Sequence, residues 1–219
     1  MAPRRTYGDR CGIARALDLV GERWALLVVR ELLLGPKRFT DLREGLPHVS
    51  PDVLSQRLRE LEEDGIVLRA KLPPPAGSRV YELTDRGAQL EPVVLELGRW
   101  GSGAAFPPGD ARLGPDSAVI ALMTVFDPSA AAGLDASYEL RFGEHAFSAR
   151  VVDARIELAR GAAGDPDATI ATDPATLANV LWHGRELEDA EAAGEMALAG
   201  DRRAARRFLA LFPLPDPGA

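Results

Sequence analysis

Residues 50–67 read SPDVLSQRLRELEEDGIV, and Leu54, Leu58 and Leu61 recur in them at i, i+4 and i+7. That spacing puts the three leucines on one stripe of an α-helix, and the stripe needs a core to face. The ends of the helix are marked as well. Ser50 suits the N-cap, Pro51 the first helical position, Asp52 the positive end of the helix, and Gly65 its termination. At about 100° per residue, Gln56 lies about 200° from Leu54, with Asp52 and Arg59 near it and Ser55 on the flank. The face turned from the core is therefore polar, which by itself also describes a helix that is merely solvated.

The neighbouring segments separate these readings. Upstream, RWALLVVRELLLGPKRFTDLREGLP predicts an apolar helix from about Arg23 to Leu34, a break at Gly35-Pro36, and a short helix from Phe39 to Leu46 with Thr40 near its start. Downstream, IVLRAKL and SRVYELT are strand-like runs joined by PPPAG, a stiff hairpin tip. Helix, short helix, turn, capped helix and two-stranded wing make a winged helix-turn-helix, whose second paired helix enters the DNA major groove. The expected DNA-contacting residues are Ser50, Ser55, Gln56, Arg57, Arg59, Arg69, Lys71 and Arg79. Gln binds adenine bidentately and Arg binds guanine, which assigns Gln56 and Arg59 to base readout. Arg57 and Ser55, on the flanks, are expected at phosphates. Arg79 at the wing is expected in the minor groove or on a phosphate, with Arg69 and Lys71 behind it.

Over about Cys11 to Gly101 the chain resembles the HxlR-type bacterial transcriptional regulators. The matching segments are CGIARALDLVGERWALLVVREL, then GPKRFTDLREGLPHVSPDVLSQRLRELEEDGIV, then the wing and YELTDRG. The resemblance implies a homodimer on double-stranded DNA, repressor or activator, joined through the first helix and the helix after the wing. Here the latter is predicted over Asp85 to Trp100, with Leu90, Val94, Leu97 and Trp100 as its apolar stripe, which suits a dimer contact or ordinary core. Cys11 matches a cysteine that senses oxidants or electrophiles in some of these regulators. Arg10 and the positive end of the next helix favour negative charge there. The competing reading is a small side chain at a helix start or dimer contact.

The chain has 219 residues and is 46% hydrophobic, enough for two ordinary domains. Gly101 to Ser117, GSGAAFPPGDARLGPDS, is dense in Gly, Pro and Ser and reads as a linker. The expected division is residues 1–101, a linker at 102–116, and residues 117–219. Up to residue 108 there are 16 Lys or Arg against 15 Asp or Glu, and beyond it 10 against 18, which accounts for the net charge of −7. The acidic second half should repel nucleic acid. Neither a secretory signal nor an apolar run of about 18 residues is visible, so a cytoplasmic protein without membrane contact is expected. One cysteine excludes a disulfide framework and a CxxC-type zinc site.

From Ala118 the pattern reads as period two. AVIALMTVF, SYELRFG, AFSARVV, ARIELAR and DATIAT are predicted strands of an antiparallel meander, with Glu139, Arg141, Arg150, Arg155 and Glu157 on its outer face. A helix follows over Ala175 to His183, started at Asp173-Pro174 and stopped at Gly184. A short acidic helix near Glu186 to Ala193, a strand in EMALAG, and a last helix capped by Asp201 complete the half. The predicted class is thus α+β: a winged helix-turn-helix, then an antiparallel sheet with helices. DPATLANVLWHGRELEDAEAAGEMALAGDRRAARRFLALF resembles the closing part of sterol carrier protein type domains, through Gly184, Ala190, Gly194, Gly200-Asp201 and Phe208. Coverage is roughly Ser117 to Pro213. The resemblance implies an apolar tunnel for fatty-acyl or sterol-like ligands, lined by Met123, Phe126, Leu177, Leu181, Trp182 and Phe208. The same residues equally describe a filled core, because periodicity does not reveal a void.

No catalytic pattern emerges. His48, His145 and His183 are isolated, HExxH, GxSxG and GxxxxGK[ST] are absent, and Gly101-Ser102-Gly103 lacks the third glycine of a dinucleotide fingerprint. The expectation is a DNA-binding regulator, not an enzyme, with no metal or cofactor and with an apolar small-molecule effector. The alternative is a lipid or acyl-group binding protein whose winged helix mediates protein contacts.

Overall fold

The computed structural model describes residues 6–73, 77–104 and 113–214. Pro74 to Ala76 of the predicted hairpin tip and residues 105–112 of the predicted linker lie outside the described residues, as do 215–219 at the end of the second predicted domain. The chain divides into two compact units, Met1–Val94 and Leu95–Ala219.

In the first unit, helices α1 (Gly12–Val20), α2 (Ala25–Leu32), α3 (Phe39–Gly45) and α4 (Pro51–Glu63) precede the antiparallel strands β1 (Val67–Lys71) and β2 (Arg79–Leu83). Helix α2 starts after Arg23 because Trp24 adopts a left-handed φ of 78°, which a helix interior does not accept. Leu54, Leu58 and Leu61 are fully buried against Val28, Val29, Leu32 and Leu42, as the leucine stripe requires. Lys37 exchanges backbone hydrogen bonds with Tyr81, 2.9 and 2.8 Å, so the segment between α2 and α3 extends the base of the wing. The predicted helix over Asp85 to Trp100 is two helices, α5 (Asp85–Ala88) and α6 (Glu91–Ser102). Pro92 explains the break: it has no N–H to donate backwards and fits only the first turn of a new helix.

In the second unit, α7 (Pro115–Val125) is followed by β3 (Ala136–Phe142), β4 (His145–Val152), β5 (Arg155–Arg160), β6 (Ala168–Thr172), α8 (Pro174–Trp182), α9 (Leu187–Ala192), β7 (Ala197–Gly200) and α10 (Arg202–Leu209). The sheet order is β5-β4-β3-β6-β7. Three expectations are corrected here. AVIALMTVF is helical, because Gly114 is extended, Pro115 and Asp116 suit a first turn, and a segment buried on nearly every side carries no period to distinguish helix from strand. The sheet is mixed, since β3 pairs with β6 in parallel, Tyr138 opposite Ala168 through Phe142 opposite Thr172. Glu139 is buried rather than on an outer face; its carboxylate accepts the Ala163 N–H at 2.8 Å and pairs with Arg141.

Candidate nucleic-acid interface

Both ends of α4 are closed as the sequence suggests. Ser50 Oγ accepts the Val53 N–H at 3.3 Å. At the other end Gly65 takes φ +67, its N–H reaches the Glu62 carbonyl at 3.1 Å, and the Ile66 N–H reaches the Leu61 carbonyl at 2.9 Å. This pair of bonds is a Schellman motif, and it sends the chain directly into β1.

With the leucines inward, Asp52, Val53, Gln56, Arg59 and Glu63 form the exposed face of α4. Gln56 Nε2 donates to Glu60 at 3.0 Å, which leaves its amide oxygen outward. Arg59 makes only a 3.3 Å bond from Nε to the Ser55 carbonyl and has no ion pair among the described residues. Ser55 is half-buried on the flank. The acids Glu60, Glu62, Glu63 and Asp64 gather at the far end, so only the N-terminal two turns can approach a phosphate backbone closely. Val53, exposed beside Gln56, escaped the sequence reading; its position, about 60° from Gln56 on the helical wheel, is the signal that would have found it, and its methyl groups suit a thymine methyl.

Arg57 differs from expectation. It is buried, paired with Glu60 and, at 3.6 Å, with Glu22, so it braces α4 from within instead of projecting toward a phosphate. Arg69 is exposed but engaged, 3.2 Å from Glu62 and 5.6 Å above the Tyr81 ring. Lys71 and Arg79 are exposed cross-strand partners at the outer end of the wing, and neither makes an ion pair among the described residues. Two like charges directly opposite each other destabilise a ladder unless an anion lies between them.

A buried charge cluster behind this surface was also missed. Glu31 is 1% exposed and binds Lys37 Nζ at 2.5 Å and Arg30 Nη2 at 2.7 Å. A glutamate inside the apolar run ALLVVRELLL signals it, because a carboxylate carried into a core requires a partner. Cys11 is exposed and is the residue before α1.

Of the residues proposed for an apolar pocket, Leu177 and Phe208 are buried in the core of the second unit, and Met123, Phe126, Leu181 and Trp182 are half-buried. Phe208 packs between Tyr138 and Phe212, with ring centroids at 4.5 and 4.9 Å, and Trp182 donates Nε1–H to the Phe212 carbonyl at 2.9 Å. No group of residues able to hold a metal ion, and no helix long and apolar enough to cross a membrane, occurs among the described residues.

Over residues 19–107 the sequence matches the HxlR-like helix-turn-helix family. The uncharacterized HTH-type transcriptional regulator YvaP of Bacillus subtilis (strain 168) is 41% identical over 86 residues, which is 39% of this chain and 80% of that protein. The HTH-type transcriptional regulator YodB of the same organism is 40% identical over 85 residues, 39% of this chain and 76% of that protein. A solved structure, the redox regulator HypR in its oxidized form, is 34% identical, covers 44% of this chain and 100% of its own, and superposes with a TM-score of 0.41. A capped helix with a polar outward face, a wing ending in two open cations, and relatives matched over most of their own length lead to one assignment: the chain belongs to the HxlR-like helix-turn-helix family of DNA-binding transcriptional regulators.

Proposed function

We propose that the protein is a cytoplasmic homodimeric regulator that reads double-stranded DNA with α4 and holds the backbone with its wing. The observation that carries this reading is the Lys71–Arg79 pair, two like charges held face to face at the wing end, a geometry that a phosphate relieves. Gln56, Arg59 and Val53 supply base readout, Ser50 and Ser55 stand where a helix start meets phosphates, and Arg69 supports the wing. Exposed Ile13 and Leu17 on α1, and Val93, Leu97 and Trp100 on α6, supply apolar area for a second copy.

Band-shift titration tests the reading. Gln56→Ala and Arg59→Ala are expected to weaken a specific site by about 1–3 kcal/mol each and relax base preference, and Lys71→Ala to weaken all sequences alike. Binding unchanged in all three would leave the alternative, a winged helix used for protein contacts. Light scattering that finds a stable monomer at micromolar concentration would remove the dimer.

For the C-terminal unit we propose a sterol-carrier-like module whose apolar ligand tunes DNA affinity. Such control requires the ligand to bind the DNA-competent and incompetent states unequally. Met123, Phe126, Leu181 and Trp182 are the accessible lining, whereas Leu177 and Phe208 line a tunnel only if their packing opens. A fluorescent fatty acid that neither binds nor raises the melting temperature would reduce this unit to a structural module.

A further inference from the structure

In the second unit a cleft of about 540 Å³ opens where the starts of β3 and β6 and the end of β7 meet the first turns of α10. Leu134, Ala136 and Tyr138 line it together with Asp167, Asp201 and three of the four arginines of α10, Arg203, Arg206 and Arg207. Its frame is fixed by backbone. The Asp201 N–H donates to the Asp167 carbonyl, the Asp167 N–H to the Ser137 carbonyl, and the Ser137 N–H to Asp167 Oδ2, each at 2.8 Å. Gly200, at φ +79, permits this closure, because a Cβ there would stand 2.5 Å from the Asp167 carbonyl oxygen.

Tyr138 is 0% exposed and its ring packs on Phe208, yet its hydroxyl has no hydrogen-bond partner among the described residues. An orphaned buried hydroxyl destabilises a fold, and phenylalanine would fill the same space without that cost. Burial, and then the Asp167 carboxylate, push its pKa up, so at neutral pH it keeps its proton and can donate. Among the arginines, Arg206 is held by Glu188, whereas Arg207 reaches only the Ala132 carbonyl at 3.5 Å and Arg203 has no ion pair among the described residues. Arg203 and Arg207 are one turn apart on the same helical face. The two acids are partly occupied by backbone: Asp201 Oδ1 caps the Arg203 and Ala204 N–H groups at 2.7 and 3.3 Å, and Asp167 Oδ2 holds Ser137.

From this combination we infer that the cleft binds a small organic carboxylate, its oxyanion between the Tyr138 hydroxyl and Arg207, Arg203 at the mouth, and its hydrocarbon body against Leu134 and Ala136. None of the residues proposed for an apolar tunnel lines this cleft, so the inference stands apart from that reading.

Calorimetric titration of the full chain with benzoate and hexanoate, with benzamide as an uncharged control, tests it. At least one acid is expected to bind and benzamide not to. Tyr138→Phe and Arg207→Gln should each weaken the acid by about tenfold or more, one hydrogen bond to a charged group being worth at least that. The unliganded Tyr138→Phe protein should melt no lower than wild type, because the orphaned hydroxyl is gone. Binding by neither acid, or binding undiminished by both substitutions, overturns the inference. So does a Tyr138→Phe protein that melts lower and binds unchanged, since the hydroxyl would then serve the fold.

Discussion

Gly45 stands so close to Glu31 that a Cβ at its position would meet Oε2 at 2.1 Å. Its φ is not in the left-handed region, so space and not backbone conformation demands a glycine there. Gly45→Ala makes the Glu31 carboxylate shift, and because Lys37 and Arg30 hold it in a buried site we expect a loss of about 2 kcal/mol in urea unfolding, since weakening a buried ion pair leaves its charge poorly compensated. A midpoint equal to wild type would show that Glu31 can swing aside freely.

Arg57 and Arg59 should behave oppositely although they are two residues apart on α4. Arg57→Ala removes the inward brace to Glu22 and Glu60 and should lower stability by about 1–2 kcal/mol while leaving the affinity of the folded protein for DNA near wild type. Arg59→Ala should leave the melting curve in place and weaken DNA binding. Paired melting and band-shift measurements separate the two, and identical behaviour of the variants would contradict the structure's placement of Arg57.

Cys11 lies exposed before α1. If its thiol carries a redox signal, Cys11→Ser should bind DNA as wild type does under reducing conditions and should keep that binding in the presence of diamide or a quinone. Loss of binding in the serine variant on oxidation would place the sensor elsewhere.

Asp173 caps α8, its Oδ1 accepting the Ala175 and Thr176 N–H groups at 2.9 and 3.0 Å and its Oδ2 the Thr176 hydroxyl at 2.6 Å. Burial pushes the carboxyl up, but these hydrogen bonds together hold it below the ordinary carboxylate range. Because the folded pKa is depressed, the contribution is complete above the unfolded value and is lost as pH falls through the folded one. Asp173→Ala should cost about 1 kcal/mol at neutral pH, Asp173→Asn much less, and the difference between Asp and Ala should shrink in acid. A pH-independent difference would show that the cap does not need the charge.

Local signals made most of this fold legible. Ser50, Pro51 and Gly65 delimit α4, and the alternation in SYELRFG, AFSARVV and ARIELAR marks β3, β4 and β5, because capping and period-two burial are properties of a few consecutive residues. What failed depends on distant partners. Helix α7 is buried on too many sides to show a period, the parallel pairing of β3 with β6 is a choice between strands, and Arg57 and Glu139, though each has a near partner in sequence, are turned inward toward remote ones, Glu22 and the Ala163 N–H. The outward face of α4 was readable as an arc, but the inward turn of Arg57 was not, and the orphaned Tyr138 hydroxyl looked like any core aromatic of a strand.

The contact between Tyr138 and Phe208 also bears on the order in which the chain can fold as it leaves the ribosome. Within this unit the central strand β3 emerges before the other strands, but the strand β7 that completes the sheet beyond β6, and the ring that covers β3, follow β4, β5 and β6. The β4–β5 hairpin can form at once from local pairing, whereas the β3–β6 pairing must close across it and then wait for α10. A released fragment ending before Arg202 should therefore expose Tyr138, Leu140 and Ile170 to chaperones, while the helices and wing of the first unit, built from near neighbours, are already protected from protease.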